Sequence, residues 1–374
     1  MTAQSPAQRT LDEHYMARAL ELASRGRYWC SPNPHVGCVL VRDGVVLGEG
    51  FTQPPGGAHA EIEALQQASF CQGATAYVTL EPCSHWGRTG PCVDALLAAG
   101  IARVVVAIED PFPEVAGRGL QRLREAGIAV EVGLMADAAR REIVGFLLRV
   151  ERGWGRVRLK LGASMDGRTA MASGESQWIT SSAARQDVQR LRAQSSMIVT
   201  GVGTVLADDC ALTVRSDELG LEGEPLRRAT RRHPTRVVLD TRGQTPAGAR
   251  VLKGPAETLI LHGPDANDMP EQCAEACQVT KNRLDLGAVF ARLGALGGNE
   301  ILVEAGPTLS GAMLQAGLVD EVVLYQAPKW LGSTARPLAD IAIDKLADSI
   351  EMDYREISRV GPDLRIIAAP VNRH

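Results

Sequence analysis

The chain has 374 residues, of which 45% are hydrophobic and 22% charged, the composition of a globular protein with room for two cores. A net charge of −4 argues against a nucleic-acid binder held by phosphate contacts, although it leaves room for a local basic patch. Residues 1–10 are polar and lack the apolar centre of a signal peptide, and no apolar run is long enough to span a membrane. The eight cysteines then read as reduced thiols or metal ligands rather than a disulfide framework, with the cytoplasm as the expected compartment.

In chain order, residues 11–26 predict an amphipathic helix with Tyr15, Ala19 and Leu22 on one face. After the turn-rich Ser31-Pro32-Asn33-Pro34, residues 36–41 and 45–50 predict a hairpin closed by Asp43-Gly44. Residues 61–68 predict a helix, 74–80 a strand, 93–100 a helix, 103–108 a strand, 120–127 a helix and 129–132 a short strand. This alternation indicates an α/β sheet layered with helices. Residues 136–150 predict one more helix, and Glu151-Arg152-Gly153-Trp154-Gly155 marks a boundary, dividing the chain into domains 1–152 and 153–374.

The first half carries a metal pattern. His59-Ala60-Glu61 is followed by Pro82-Cys83 and Pro91-Cys92. One imidazole and two thiolates can hold Zn²⁺ and leave its fourth position to water. Glu61 is then free to move protons, and the order of the residues matches the zinc-deaminase signature. Residues two apart on a regular helix point to nearly opposite sides, so His59 and Glu61 share a site only if His59 stands at or before the first turn. Ligands at two helix starts would also place the thiolates in a favourable field. Cys30, Cys38 and Cys71 read as buried small hydrophobes. Cys273 and Cys277 could share a helix face, but no second ligand pair lies near them in sequence.

In the second half, residues 157–163 predict a strand and 182–194 a helix. The strand at 197–200 runs into Gly201-Val202-Gly203-Thr204. The strand at 300–304 runs into Ala305-Gly306-Pro307-Thr308 and then a helix from Ala312. Two strand–glycine–helix junctions suggest a nucleotide cofactor, since glycine lets backbone amides approach a phosphate; two tight turns would account for the same pattern. Arg227, Arg228, Arg231, Arg232 and Arg236 form a basic stretch that reads as a solvated loop.

Several stretches together carry a family resemblance. In the first half they are Asn33-Pro34-x-Val36-Gly37, His59-Ala60-Glu61, and residues 79–92, with eight residues between Cys83 and Cys92. In the second half they are Lys160-Leu161-Gly162-Ala163-Ser164, Ser176-Gln177-Trp178, Thr204 through Asp209 with Leu212-Thr213-x-Arg215, and Val303-Glu304-Ala305-Gly306-Pro307. The chain resembles the bifunctional riboflavin-biosynthesis deaminase/reductases over nearly its whole length. The resemblance implies a cytidine-deaminase-like three-layer α/β/α domain, followed by an α/β domain similar to dihydrofolate reductase.

The resemblance further implies zinc on His59, Cys83 and Cys92, with Glu61 as proton shuttle, and NADPH in the second domain. Gly162, Trp178, Thr204, Asp208 and the turn Gly306, Pro307, Thr308, Leu309, Ser310, Gly311, Ala312 would contact the cofactor. Ser176, Arg192, Leu212, Arg215 and Glu304 would contact the substrate, with Asn33, Lys160, His85 and Arg88 as further candidates. Arg192 and Arg215 suit the substrate's phosphate, because guanidinium pairs bidentately with phosphate oxygens. An ordinary loop role accounts equally well for His85 and Arg88. Gly90 and Cys210 stand where the family usually has proline. Cys210 is expected to loosen its loop, and Gly90 to leave the chemistry alone.

The implied reactions are hydrolytic deamination of 2,5-diamino-6-(5-phosphoribosylamino)pyrimidin-4-one and NADPH-dependent reduction of the ribosyl side chain to ribityl. The expected partner is this small phosphoribosyl pyrimidine, with no nucleic acid or membrane; a homo-oligomer is compatible with the sequence. Two rival readings stay open here. One is a nucleobase or tRNA deaminase fused to an unrelated reductase. The other is a regulatory nucleotide-binding module with a structural zinc.

Overall fold

A computed structural model describes residues 5–86, 90–266, 270 and 272–371. The chain divides into two compact units, Met1–Arg152 and Gly153–His374. In the first unit the elements run α1 (Pro6–Ser24), β1 (Gly37–Arg42), β2 (Val45–Phe51), α2 (Ala60–Gln67), β3 (Thr75–Val78) and α3 (Cys92–Ala98). They continue through β4 (Arg103–Val106), α4 (Arg118–Glu125), β5 (Ala129–Val132), α5 (Ala136–Glu142) and α6 (Val144–Arg152). The sheet order is β2-β1-β3-β4-β5, antiparallel at β2-β1-β3 and parallel from β3 to β5. Asp43 and Gly44 both take positive φ in the hairpin turn, the geometry that matches the twist of the flanking strands.

Side-chain alternation along the strands makes two cores. Cys38, Leu40, Ala76, Val78, Val104 and Val106 pack with α2, α3 and α4 residues such as Ala60, Leu96 and Leu123. On the other face Val39, Val41, Tyr77 and Val105 pack with Met16, Leu22, Phe146 and Leu147 of α1 and α6. Period-two strands with both faces covered give the three-layer arrangement. Tyr15, Ala19 and Leu22 are all buried on α1. The helix expected over 136–150 is two helices, interrupted at Ile143, where φ is −113°.

The second unit has β6 (Arg156–Ser164), β7 (Arg168–Ala170), α7 (Ser182–Gln194), β8 (Met197–Gly201), α8 (Val202–Asp208), α9 (Gly223–Arg231), β9 (Thr235–Asp240), β10 (Thr258–His262) and β11 (Ala274–Ala276). The small pair β12 (Val279–Thr280) and β13 (Arg283–Leu284) follows, then α10 (Leu286–Ala295), β14 (Glu300–Glu304), α11 (Pro307–Gln315), β15 (Glu321–Ala327), β16 (Arg336–Pro337), β17 (Met352–Val360) and β18 (Asp363–Pro370). A nine-stranded sheet runs β11-β10-β9-β8-β14-β6-β15-β18-β17, parallel from β11 to β15 and antiparallel beyond. The α10 residues Phe290 and Leu293 and the α11 residue Met313 cover one face. Val205 of α8 and Ala184 and Val188 of α7 lie in the cores on the other.

The basic stretch differs from its expected solvated loop. Arg227, Arg228 and Arg231 lie on α9, and Arg236 lies inside β9 with 1% of its surface exposed. Its guanidinium donates to the carbonyls of Ala211, Lys253 and Ala256. Five donors on a planar fork let one buried arginine satisfy three carbonyls from two loops, which charge counting along the sequence does not register. Cys273 and Cys277 flank the strand Ala274–Ala276, so no helix face joins them.

Candidate zinc centre and cofactor cleft

His59 is the N-cap residue of α2, with extended backbone, and Glu61 falls in the first turn. Two glycines on β2 let α2 come this close. A Cβ on Gly50 would stand 2.1 Å from the Ala60 carbonyl oxygen, and one on Gly48 2.1 Å from that of Ala64. Cys83 lies just beyond β3, and Cys92 opens α3 with Pro91 as its N-cap. Proline there gives up no hydrogen bond, since the first amides of a helix have no intrahelical partner.

The ligand atoms converge. His59 Nδ1 stands 3.6 Å from Cys83 Sγ and 3.4 Å from Cys92 Sγ, and all three atoms lie within 4.8 Å of one another. Ligands at about 2.0–2.3 Å from a tetrahedral ion stand roughly 3.5 Å apart, so this donor set fits zinc. The Cys92 amide donates to Cys83 Sγ at 3.4 Å. Hydrogen bonding from Cys92, with help from His59, outweighs burial and pulls the Cys83 thiol down to about 4. The hydrogen bond to Cys83 raises the His59 pKa. Glu61 is 3% exposed, and burial, with Cys83 beside it, lifts its carboxyl to about 7.

Of the other first-unit candidates, Asn33 is half-buried in the loop before β1, its carbonyl accepting from Cys30 Sγ. The His85 ring faces that of Phe112, with centroids 6.5 Å apart. Arg88 lies outside the described residues. A Cβ at Gly90 would meet only the Trp86 ring, at 3.6 Å.

In the second unit a cleft of about 1090 Å³ opens at the carboxyl ends of the parallel strands, where α/β sheets usually bind ligands. Gly201 caps α8 and Gly306 caps α11, so both strand–glycine–helix junctions face the same cleft. A Cβ on Gly203 or Gly306 would meet nothing within 4 Å, leaving open space at these helix starts for a phosphate-bearing cofactor. Gly162, Ser176, Trp178, Thr204, Asp208 and Leu212 line the cleft, as do Pro307, Thr308, Leu309 and Ala312. Ser310 and Gly311 do not. Ser310 is fully buried and donates to the Ala305 carbonyl, while a Cβ on Gly311 would stand 2.0 Å from the Asp340 carbonyl oxygen. They face inward because consecutive helical residues cannot all look one way.

Lys160 and Glu304 are register partners on β6 and β14, and Lys160 Nζ lies 3.4 Å from a Glu304 oxygen. Arg192, in the last turn of α7, grips the same carboxylate with two bonds of 2.6 and 3.0 Å and also donates to the Thr213 carbonyl. Burial pushes the Glu304 carboxyl up, but Arg192 and Lys160 overcome it and hold the group at about 2. Arg215 is the freer guanidinium, half-exposed and paired with Glu218 at 2.8 Å. Burial raises the Cys210 thiol to about 11, so it stays protonated at neutral pH.

The sequence reading missed Thr241 and Arg185, which also line this cleft. Arg185 lies 4.2 Å above the Trp178 ring, and Lys329 donates to the Trp178 carbonyl. No spacing rule points to Thr241; only the strand order brings the end of β9 beside β8.

Both units have counterparts among known proteins. Residues 9–108 match the cytidine and deoxycytidylate deaminase zinc-binding region, and residues 156–366 match the RibD C-terminal domain. The riboflavin biosynthesis protein RibD of Escherichia coli (strain K12) is 53% identical over 358 residues, covering 94% of this chain and 98% of the relative. That of Haemophilus influenzae is 44% identical, covering 95% and 96%. The structure of Acinetobacter baumannii RibD superposes with a TM-score of 0.89 at 42% identity, over 97% of this chain and all of that one. A Thermotoga maritima diaminohydroxyphosphoribosylaminopyrimidine deaminase/5-amino-6-(5-phosphoribosylamino)uracil reductase gives 0.85 at 29% identity, over 97% and 99%. A zinc-binding deaminase region joined to a reductase domain makes zinc and NADPH the cofactors, and sets aside both the unrelated fusion and the regulatory module. The chain belongs to the RibD family of bifunctional riboflavin-biosynthesis enzymes, which combine a deaminase and a reductase.

Proposed function

We propose that residues 1–152 deaminate the diaminopyrimidine phosphoriboside named for the Thermotoga relative, and that residues 153–374 reduce the ribosyl group of the resulting uracil. The observation that carries this reading is the convergence of His59, Cys83 and Cys92 beside a buried Glu61.

Zinc, held by His59, Cys83 and Cys92, supplies the Lewis acidity that makes water a nucleophile at neutral pH. Glu61 takes one proton from the attacking water and delivers it to the pyrimidine ring nitrogen, then takes the second from the added hydroxyl and delivers it to the departing amine. Water is consumed, the ring carbon exchanges nitrogen for oxygen, and ammonia leaves. A carboxyl titrating near 7 both accepts and returns a proton at working pH.

In the second unit NADPH supplies the hydride. The Lys160 ammonium at the cleft wall donates a proton to the ribose ring oxygen as the sugar opens, and Glu304 keeps it in place. Two of the Arg192 donors are committed to Glu304, so that residue braces the site while Arg215 takes the substrate's phosphate. Trp178 and the open faces of Gly203 and Gly306 receive the cofactor. None of the eight cysteines is in a disulfide, which suits the cytoplasm, and the net charge of −4 suits a small-molecule rather than a nucleic-acid partner.

Adding the diaminopyrimidine phosphoriboside to zinc-loaded protein, with and without NADPH, tests both halves. Ammonia release without cofactor, followed by loss of NADPH absorbance once it is added, is the expected result. Folded, metal-bound protein that gives neither signal would overturn the substrate assignment.

A further inference from the structure

We infer that Glu81, which is no metal ligand, is the positioning residue that sets Cys83 for zinc; the inference rests on the ligand assignment proposed above. Glu81 follows β3 and is 4% exposed. Among the described residues, no basic side chain pairs with its carboxylate. Four backbone amides serve it instead. Oε2 accepts from Asp110 at 3.2 Å and Gly117 at 3.0 Å, and Oε1 accepts from Gly119 at 2.9 Å and Leu120 at 3.3 Å.

Gly119 and Leu120 are the second and third residues of α4, whose own N-cap residue, Gly117, has no side chain to offer. Glu81 is therefore an N-cap supplied from the distant segment that follows β3, and its charge faces the positive end of the helix. The same helix grips the ligand segment further along. Arg122 donates to the Ser84 carbonyl at 3.2 Å and pairs with Asp94 on the first turn of α3, the helix that Cys92 opens. Residues 81–84 are thus fastened at both ends to α4, which carries no ligand itself.

The contact is too close to tolerate slack. A Cβ on Gly119 would stand 2.3 Å from the Pro82 carbonyl oxygen and 3.1 Å from Glu81 Oε1. Cys83 is the next residue. Its carbonyl accepts from Val93 and its sulfur from the Cys92 amide, so a shift at Pro82 passes directly to both thiols. Loss of groups that orient a ligand typically costs 10–100-fold in metal affinity.

Two variants of the full-length chain perturb this contact from opposite sides. In Glu81→Gln an NH₂ replaces one oxygen, so one pair of amides faces a donor instead of an acceptor. Gly119→Ala keeps the carboxylate and pushes on the Pro82 carbonyl. The probe is Co²⁺ in place of zinc, read by its thiolate charge-transfer and d–d bands, with Zn²⁺ affinity measured by chelator competition. Circular dichroism and NADPH turnover on the uracil substrate follow the fold of each unit.

The expected result is a zinc affinity about 10–100-fold weaker and altered cobalt bands in both variants, in folded protein whose NADPH turnover is unchanged. Wild-type affinity and wild-type bands in either folded variant would overturn the inference. So would metal loss that appears in both variants only together with unfolding of the first unit, since Glu81 would then be a structural cap alone. Absence of thiolate–cobalt bands in the unmodified protein would instead refute the ligand assignment.

Discussion

Glu61 and Glu304 are both buried carboxyls, yet their neighbours drive them in opposite directions. Burial, reinforced by Cys83, lifts Glu61 to about 7, while Arg192 and Lys160 overcome burial at Glu304 and hold it at about 2. The first can pass a proton at neutral pH and the second remains a fixed charge. Glu61→Gln should lower the deamination kcat by about 10²–10⁴-fold while zinc content, measured by atomic absorption, stays at the wild-type level. Equal loss of zinc would make Glu61 a structural residue. Arg236 is a buried charge of another kind, spent on three loop carbonyls. Arg236→Ala should destabilise the second unit by about 3 kcal/mol in urea unfolding, because those carbonyls lose their donors in the interior.

At the scale of elements, α1 is tied to the sheet through Asp12. Arg103 of β4 donates to it at 2.9 and 2.6 Å, and the Tyr77 hydroxyl of β3 at 2.6 Å. Burial alone would raise this carboxyl, but the bonds from Arg103, Tyr77 and Gln8 win and hold it at about 2, below its ordinary 3.8. A depressed carboxyl contributes stability above its unfolded value, and that stability is lost as pH falls through the folded value. The contribution is about 2 kcal/mol. The denaturation midpoint of the first unit should therefore fall between about pH 4 and pH 2, and Asp12→Asn should flatten that slope. A variant with the wild-type acid profile would refute this account of α1. The broken helix at Ile143 belongs to the same scale. The interruption falls at Ile143, which packs with Phe146 into the core on that face of the sheet.

For the whole molecule, the cores of the two units are built from separate residues, within 15–150 for one and 154–367 for the other. Metal removal should act on one unit only. Dialysis against a chelator should abolish ammonia release and leave NADPH oxidation on the uracil substrate unchanged, and added Zn²⁺ should restore the first signal. Loss of both activities on chelation would show that the units depend on one another.

Strand and helix alternation, the Asp43-Gly44 turn, and the order His59, Glu61, Cys83, Cys92 are legible in the sequence alone, because each rests on local periodicity, turn chemistry or a short motif. The two glycine junctions are legible in the same way, as is their strand-before-helix context. What needed the tertiary structure is every relation between residues distant in sequence. Burial of Arg236, the turning of Ser310 and Gly311 away from the cleft, and the pairing of Arg192 with Glu304 all depend on which strands become neighbours. Glu81 shows the same division: its place beside Cys83 is plain from the sequence, but the four amides it binds come from residues 110–120. A carboxylate finds such partners only when the chain between them has folded, and no local spacing encodes that meeting.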